Sequence, residues 1–466
     1  MLMPQQGRCF WWTVFLGAVA CVHTAPGHGS RDLLHDFNAR VYVVELPPKY
    51  NTHAIAREGC TEGRFLETLL SNPLGTMLSE SLVSALYRNT SALNLEVHMH
   101  MQMLYSPLRV LTAEEADVVY VPLYASQLLG APGRRHECAT EWDRRAAAAL
   151  LAEFWADAPA LLPALGAKPH WVQLSEREAL FRAGCGGEGG LPLMCHPLAE
   201  QVTWATPEVM TAPHPLHGRA RFLGRSAAHN NSLAVPYLGR VHRMSMQSRA
   251  AALAAGTVLA DKRRLAAVAP RVSEALAMTP DQVKLAEGVA RVCREREGEC
   301  EAGGFQDFLE GVEAQRRAWF CVAPPGNTPT SVSLADCFAA GLAVPVLFDE
   351  YLYGLLPFAD VLLYRDMAAY VPPGDAAAPG MSFLDHLAAY AVDRRAAMLR
   401  TMQGVSQALQ YAVRPNHLLV RLDRLDAVHV LDDAFTMSFK AVMRRACGAE
   451  LQGCRARKYL QGVGSI

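Results

Sequence analysis

The segment from residue 318 to residue 350 constrains the fold of this chain more than any other. Its sequence is AWFCVAPPGNTPTSVSLADCFAAGLAVPVLFDE, in which a polar, proline-rich loop and one short helical stretch separate two apolar runs. Two buried strands joined by a single helix run parallel, because only a crossover connection returns the chain to the same end of the sheet. Gly341 follows the helical stretch and predicts its carboxyl end. The segment therefore predicts a β-loop-α-β unit within a parallel sheet.

Other parts of the chain repeat this alternation of apolar runs and helical stretches. The apolar runs include RVYVVELPPKYN (40–51), AEEADVVYVPLYAS (113–126), AKPHWVQLS (167–175) and SLAVPYLGRVH (232–242). Helices are predicted in TLLSNPLGTMLSESLVSALYRN (68–89), in the alanine-rich run after Trp142 and in LDDAFTMSFKAVMRRA (431–446). Strands that alternate with helices predict the α/β fold class, with two consecutive parallel sheets of similar size.

The predicted sheets divide the chain into two domains that face a cleft. The first α/β domain is expected at residues 36–243 and the second at 244–445, with a targeting segment and short stem at 1–35 and a tail at 446–466. Open α/β sheets bind ligands outside the carboxyl ends of their strands. The loops that follow the strands of both domains are therefore expected to line the cleft.

Composition excludes several classes of protein. Of the 466 residues, 51% are hydrophobic and 19% are charged, and the formal net charge is −1. This balance is that of a globular protein and not of a disordered chain. It gives no reason to expect a nucleic-acid partner. The sequence contains no Walker A motif, so an ATPase has little support.

The amino-terminal segment predicts targeting to the secretory pathway. The 14-residue apolar stretch CFWWTVFLGAVACV (9–22) follows Arg8 and precedes HTAPGHGS. A membrane-spanning helix usually needs ~20 apolar residues, so this length favours the core of a cleavable signal peptide. A short uncleaved signal anchor and a buried helix of the globular body are the alternatives. Either a signal peptide or an anchor would send the body of the protein into the secretory pathway.

Cysteine and asparagine usage fits that compartment. The close-spaced pairs that predict disulfide bonds are Cys185/Cys195, Cys293/Cys300 and Cys447/Cys454. None of the 12 cysteines belongs to a CxxC motif, so a zinc site is not expected. Two sequons, beginning at Asn89 and Asn230, are candidate N-glycosylation sites.

The loop after Ala323 predicts an anion site. Its backbone N–H groups and the hydroxyl groups of Thr328, Thr330 and Ser331 surround the amino terminus of a helix, which attracts phosphate oxygens. Gly326 permits a close approach of the ligand to the backbone. A capped turn that binds no ligand is the alternative.

Two carboxylates end the apolar run that follows this helix. Asp349 and Glu350 lie 23 and 24 residues after Gly326. In dinucleotide-binding folds an acidic residue that binds ribose hydroxyls lies at a similar spacing of ~20 residues. The segment therefore predicts a nucleotide site that combines a phosphate loop with a ribose-binding carboxylate.

Six stretches of the chain occur in the order in which the exostosin family of glycosyltransferases has them. They are RVYVVELPPKYN, EEADVVYVPLYAS, LAVPYLGRVH, FCVAPPGNTPTSVSLADCFAAGLAVPVLFDE, LPFADV and DDAF, between about residues 38 and 440. The chain resembles this family, and in particular its plant and green-algal cell-wall members. The resemblance implies the GT-B fold, in which two Rossmann-like domains face a cleft.

The same resemblance implies a substrate class and a place in the cell. It implies the inverting transfer of a sugar from a nucleotide-sugar donor, a UDP-sugar, to a cell-wall polysaccharide or a glycoprotein glycan. It implies no essential metal and no other cofactor. It also implies a single-pass type II Golgi membrane protein with a lumenal body and homo- or hetero-oligomers with other transferases. Secretion after signal cleavage is the alternative location.

Matched residue by residue, the resemblance implies the members of the donor site. Arg249 and one of Lys262 and Arg263 would neutralise the diphosphate leaving group, as a metal ion does in other transferases. A solvated basic helix face is the alternative for Lys262 and Arg263. The other donor-binding positions that the resemblance implies are Gly256, Gly326, Thr330, Ser331 and Glu350.

The chain also departs from the family pattern. The family has arginine after the signature serine, where this chain has Val332 and Ser333, and the family's Gly-Asp is Gly326-Asn327 here. The missing arginine supports a second hypothesis. In that hypothesis the protein is a catalytically silent relative that binds a glycan or stabilises a transferase complex.

The expected catalytic base is Glu45. An inverting transferase needs a carboxylate or a histidine that takes the proton of the acceptor hydroxyl, and Glu45 ends the first strand of the acceptor domain. A capping or ion-pairing role in the ELPPKY turn is the alternative. His170 and His242 also lie at strand ends, where a structural role is the alternative to catalysis.

Overall fold

Two parallel β-sheets organise the part of the chain that the structure describes. The computed structural model describes residues 39–52, 74, 77–80, 85–88, 90–106, 108–129, 144–175, 193–209, 231–243, 259, 261–269, 280–302, 308–325, 330–376, 382–412 and 433–447. The strands are β1 (Val41–Val43), β2 (Met77–Glu80), β3 (Ala85–Arg88), β4 (Arg109–Val110), β5 (Val118–Val121), β6 (His170–Gln173), β7 (Val202–Thr206), β8 (Ser232–Ala234), β9 (Val241–Arg243), β10 (Arg264–Val268), β11 (Cys300–Glu301), β12 (Ala318–Val322), β13 (Val344–Leu347) and β14 (Ala369–Tyr370). The predicted α/β class is confirmed.

The two parallel sheets share one strand order. The first sheet has the order β4-β1-β5-β6-β7-β8 and the second has the order β11-β10-β12-β13-β14, and every pair of neighbours in both is parallel. In each sheet the second strand in the chain lies outside the first, and later strands add on the other side. The strand order therefore reverses between β1 and β5 and again between β10 and β12, and such reversals are where open α/β sheets bind ligands.

Helices connect the strands and cover the sheets. They are α1 (Leu95–Leu104), α2 (Ala125–Leu129), α3 (Arg144–Leu161), α4 (Pro280–Glu295), α5 (Phe308–Arg317), α6 (Val332–Ala340), α7 (Leu352–Leu355), α8 (Phe383–Ala388), α9 (Val392–Val405) and α10 (Ala434–Cys447). Helix α6 ends at Gly341, whose φ of 65° is left-handed, as the sequence predicts. The predicted helices after Trp142 and near the carboxyl end correspond to α3 and α10.

The core of the first sheet has aromatic side chains on both faces. Phe154 and Trp155 of α3 pack in one cluster with Val172 of β6 and Trp204 of β7. Trp171, the neighbour of Val172, points to the opposite face of the sheet. There its ring lies 6.0 Å from the ring of Phe439 on α10. The last described helix of the chain therefore packs against the first sheet.

A small antiparallel sheet replaces part of a predicted helix. The sequence predicts a helix over 68–89, but this stretch contains β2 and β3, which pair with each other, and β3 also pairs with β9. Leu86 of β3 pairs with His242 of β9, a residue more than 150 positions further along the chain. The helix prediction is wrong here because pairing with a distant strand outweighs local helix propensity.

The disulfide bonds are partly those that the spacing predicts. Cys293 and Cys300 are bonded, as expected. Cys321 of β12 is bonded to Cys337 of α6, a pairing that the spacing did not indicate. Cys195 is also disulfide-bonded. Cys185 and Cys454 lie outside the described residues, so the pairings predicted for them stay predictions.

Several sequence predictions concern residues outside the described ranges. These are the targeting segment 1–35, the sequons at Asn89 and Asn230, and the tail from residue 448 onward. All described residues fall in one compact unit, 38–466, and the boundaries expected at 243 and 445 stay predictions. Among the described helices, none combines the length and the apolar character that crossing a membrane requires.

Candidate functional site

The loop after β12 leads into a capped helix at the point where the strand order of the second sheet reverses. Ser331 is the N-cap of α6, and its hydroxyl oxygen accepts a hydrogen bond from the backbone N–H of Leu334 at 3.1 Å. Gly326 and Thr328 lie outside the described residues. The described end of the loop thus places the amino terminus of a nine-residue helix where ligands of α/β sheets bind.

Thr330 connects this loop to the first sheet. Its hydroxyl donates a hydrogen bond of 2.7 Å to a carboxylate oxygen of Glu208. Glu208 is 4% exposed and follows β7, so it lies at the carboxyl edge of the first sheet. The hydroxyl of Tyr237 donates to the same oxygen at 3.4 Å. The loop of the second sheet and the carboxyl edge of the first are therefore in direct contact.

A buried ion pair holds α6 against the segment between β8 and β9. Arg240 Nε lies 3.0 Å from Asp336 Oδ2, and the backbone N–H of Arg240 donates to Asp336 Oδ1 at 2.6 Å. The guanidinium also lies over the ring of Phe308, 3.9 Å from its centroid. A Cβ at Gly239 would lie 2.5 Å from Asp336 Oδ1. Only glycine at position 239 therefore permits this close approach of the backbone.

A small, mostly apolar cavity lies beside these contacts. It has a volume of about 30 Å³, enough for about one water molecule. Pro207 and Tyr237 line it from the first sheet, and Thr330, Ser331 and Phe338 line it from the second. Thr330 and Tyr237, the two residues that donate to Glu208, thus both line the cavity.

The two carboxylates after β13 differ in their surroundings. Asp349 is buried, and its Oδ1 accepts the backbone N–H of Tyr351 at 2.9 Å. Glu350 is exposed, and its carboxylate lies 3.1 Å from Arg365 Nη2. The guanidinium of Arg365 in turn lies 4.6 Å from the ring centroid of Tyr353. Glu350 is therefore the member of the pair that a ligand in solution can contact.

Lys262 binds backbone carbonyl groups. Its Nζ donates to the carbonyl oxygens of Gln315, Arg316, Ala318 and Leu342, at 3.4, 3.1, 2.5 and 2.5 Å. Two of these carbonyls belong to the last turn of α5. Burial lowers the pKa of Lys262 to about 7. The ammonium group thus caps a helix end and is not directed at the loop after β12.

Arg263 lies at the other end of the second sheet. It is exposed and precedes β10, whereas the loop with Thr330 follows the carboxyl end of β12. With a rise of ~3.3 Å per residue, the five residues of β10 span ~16 Å. Arg263 lines an open cavity of about 630 Å³ together with Arg264, Arg294 and Arg317. The structure does not bring Arg263 to Thr330 and Ser331. Arg249 and Gly256 lie outside the described residues.

The residues considered for the base occupy three different settings. Glu45 follows β1 and is exposed, at the reversal of strand order in the first sheet. His170 is buried, with Nδ1 2.9 Å from the carbonyl oxygen of Lys168, and burial lowers its pKa. His242 is buried between the hydroxyl of Thr90, 2.9 Å from Nε2, and the carbonyl of Tyr411, 2.8 Å from Nδ1. Burial lowers the pKa of His242 to about 4. Both histidines therefore serve the packing of the protein.

Glu96 is a buried carboxylate that the sequence did not reveal. It lies near the start of α1, and its oxygens accept backbone N–H groups of Ser126 at 2.9 Å, Ser175 at 3.3 Å and Gln127 at 3.4 Å. Ser126 and Gln127 lie in α2, after β5, and Ser175 follows β6. Glu96 therefore connects the start of α2 to the loop after β6 at the carboxyl edge of the first sheet. Burial raises the pKa of Glu96 to about 8.

Sequence reasoning also missed Glu208 and the strand before it. The stretch QVTWATPEVM (201–210) has an apolar run that stops at a proline and a carboxylate, as RVYVVELPP does. The same pattern is therefore the sequence signal from which β7, and a polar group at its carboxyl end, could have been predicted. Within the described ranges, no three histidine, cysteine, aspartate or glutamate side chains are grouped so that they could hold a metal ion.

Two parallel sheets of one strand order, in contact through a helix-capping loop, fit the GT-B-like class of α/β folds. A family model described as the exostosin GT47 domain matches residues 37–385. The chain therefore belongs to the exostosin family of glycosyltransferases, as its motifs indicate. It is also similar to the xyloglucan-specific galacturonosyltransferase 1 of Arabidopsis thaliana, with 25% identity over 338 residues. The match covers 67% of this chain and 44% of that protein, so the chain spans less than half of the relative's length.

Proposed function

We propose that the protein transfers a sugar from a nucleotide-sugar donor, a UDP-sugar, to a glycan acceptor. The observation that carries the proposal is the hydrogen bond between Thr330 and Glu208, in a chain of the exostosin family. It joins the loop expected to bind the donor phosphates to the carboxyl edge of the first sheet, where the acceptor would bind. The cleft of two Rossmann-like domains would then lie along this contact.

The proposed mechanism is an inverting displacement that needs no metal ion. The amino terminus of α6, capped by Ser331, and the backbone of the loop at Gly326 would bind the diphosphate. Arg249 would add a positive charge that stabilises the leaving group. Lys262 takes no part in this proposal, since its ammonium binds four carbonyl oxygens.

The acceptor is proposed to be a cell-wall polysaccharide or a glycoprotein glycan. The similar Arabidopsis protein is named for the transfer of galacturonic acid to xyloglucan, which supports a plant-type polysaccharide as the acceptor class. A lumenal Golgi location, with residues 1–35 as anchor or signal, and association with other transferases are parts of the same proposal.

A transfer assay tests the proposal. The purified protein is incubated with a panel of UDP-sugars and cell-wall oligosaccharides, with and without a chelator of divalent ions. We expect one donor to be consumed with formation of a lengthened oligosaccharide, at a rate that the chelator leaves within about twofold. Loss of turnover on chelation, restored by Mn²⁺, would contradict the metal-independent mechanism and leave the transferase activity standing.

A catalytically silent glycan-binding subunit is the second candidate. Val332 and Ser333, which stand where the family has arginine, are both buried in the first turn of α6. Neither supplies a positive charge to the predicted phosphate site. Binding of an oligosaccharide without consumption of any donor in the panel would favour this candidate.

Glu350 is expected to bind the ribose of the donor. Replacement of Glu350 by alanine removes an exposed acceptor of hydroxyl hydrogen bonds and should weaken donor binding by about 1 to 2 kcal/mol, roughly 5- to 30-fold in Kd. Isothermal titration calorimetry with the donor's nucleoside diphosphate measures the change. Glu295→Ala is the matched control, because Glu295 is also an exposed partner of an arginine, at 3.2 Å from Arg291. Equal affinities of the two variants for the nucleoside diphosphate would show that Glu350 does not bind the donor.

A further inference from the structure

Glu208 is the described carboxylate that links the acceptor side of the molecule to the donor loop. It follows β7 of the first sheet, and the hydroxyl of Thr330 in the second donates to it at 2.7 Å. We propose that Glu208 is the general base of the transfer reaction. This inference rests on the proposed function and replaces Glu45 in that role.

In the proposed step, the oxygen of an acceptor hydroxyl forms a bond to the anomeric carbon of the donor sugar. The bond between that carbon and the diphosphate oxygen breaks, and its electron pair leaves with the nucleoside diphosphate. The hydroxyl proton moves to the carboxylate of Glu208 and from there to water. Atoms and charge balance without any further reactant.

The position of Glu208 relative to the donor loop suits this role. The anomeric carbon is attached directly to the distal phosphate, so a base must act next to the phosphate-binding loop and on the acceptor side of it. A carboxylate would repel the phosphates themselves. It would stabilise the positive charge that develops on the sugar ring in an oxocarbenium-like transition state.

Two hydroxyl groups hold the carboxylate of Glu208 in place. Thr330 and Tyr237 both donate hydroxyl hydrogens to it, at 2.7 and 3.4 Å. Both residues also line the small cavity between the sheets, as does Pro207, the residue before Glu208. The cavity therefore lies next to the two side chains that bind Glu208, which is where the proposal places the acceptor hydroxyl.

Glu45 and Glu208 follow strands that are not neighbours in the first sheet. β1 and β7 are three strand positions apart in the first sheet, which at ~4.8 Å per position amounts to ~14 Å. Glu45 is exposed, whereas Glu208 is in contact with the donor loop. The two hypotheses for the base therefore predict opposite results for two matched variants.

Four variants test the inference in the transfer assay, with kcat, the KM for each substrate and the melting temperature as readouts. Glu208→Gln keeps the size and the hydrogen-bond acceptor but cannot take a proton. We expect it to lower kcat by 10²- to 10⁴-fold, with the donor KM within about threefold. Glu208→Asp keeps a carboxylate that can take a proton but shortens the side chain by one methylene group, and it should be more active than Glu208→Gln. Glu45→Gln tests the other candidate for the base and should lower kcat far less than Glu208→Gln does.

Thr330→Val provides a second test if Glu208→Gln fails to fold. It removes the hydroxyl that holds Glu208 and leaves the carboxylate, so we expect a higher donor KM and a kcat within about tenfold of the wild type. If Glu208 only positioned the loop, Thr330→Val would lose as much kcat as Glu208→Gln, and Glu208→Gln would be more active than Glu208→Asp. Either result overturns the inference, as does a loss confined to Glu45→Gln. A wild-type protein that transfers no sugar contradicts the proposed function instead.

Discussion

Replacement of Asp336 by alanine is expected to lower the free energy of unfolding by about 3 to 5 kcal/mol, the usual effect of removing one partner of a buried ion pair. The side chains of Asp336 and Arg240 are 3% and 15% exposed. The variant leaves the guanidinium of Arg240 buried without its counter-charge, and it leaves the backbone N–H of Arg240 without an acceptor. Urea unfolding followed by tryptophan fluorescence measures the loss.

Two further variants give this prediction its controls. Asp281→Ala removes an exposed pair, 3.7 Å from Lys284, and should change stability by less than about 1 kcal/mol. The double variant Arg240→Met/Asp336→Leu removes both charges and should recover the part of the loss that the unpaired guanidinium causes, because no buried charge remains. A loss below about 1 kcal/mol in Asp336→Ala would show that the contact between α6 and the β8–β9 segment does not depend on this pair.

Glu96 is expected to make the stability of the protein fall as the pH rises from about 4.5 to about 8. Its pKa is about 8 in the folded protein, raised by burial from the ordinary 4.5. Between these values the folded state holds a proton that the unfolded state releases. The stability contribution of Glu96 is therefore fully present below pH 4.5 and is lost as the pH rises through 8. The slope is on the order of 1 kcal/mol per pH unit.

Glu96→Gln isolates this contribution, because glutamine has nearly the same shape and does not titrate. The difference in unfolding free energy between wild type and variant is measured by urea unfolding at pH 5, 6, 7 and 8. We expect the unfolding free energy of the wild type to fall relative to that of the variant at each step, by a total on the order of 3 kcal/mol over this range. Parallel profiles for the two proteins would mean that Glu96 has the same charge in both states.

The sequence predicted those strands and helix ends that depend on residues close together in the chain. The apolar runs at Val41–Val43, Val118–Val121 and His170–Gln173 are strands, since each is a short buried run that ends at proline or a polar residue. Gly341 ends α6 because glycine adopts a left-handed φ without strain. The hairpin of β2 and β3 was missed because its pairing with β9 depends on residues far away in the chain.

The candidate site divides in the same way. Thr330, Ser331 and Glu350 follow strands of a parallel sheet. Their sequence positions alone therefore predicted that they lie at the carboxyl edge of the second sheet. Lys262 and Arg263 have equivalent charges in the sequence, yet one caps α5 and the other lines a cavity at the opposite end of the sheet. Charge is a property of the residue, whereas its partner is a property of the packing.

The sequence by itself determined the α/β class, the parallel direction of the strands, the end of α6 and the family, because each follows from residues that are close together in the chain. Only the tertiary structure decided which carboxylate contacts Thr330 in the loop after β12. Glu208 and Thr330 are 122 positions apart, and Arg240 and Asp336 are 96 positions apart. Contacts over such separations form when two sheets and their loops pack together. The hydrophobic pattern of one segment predicts that it is buried, but it does not identify the distant segment that packs against it.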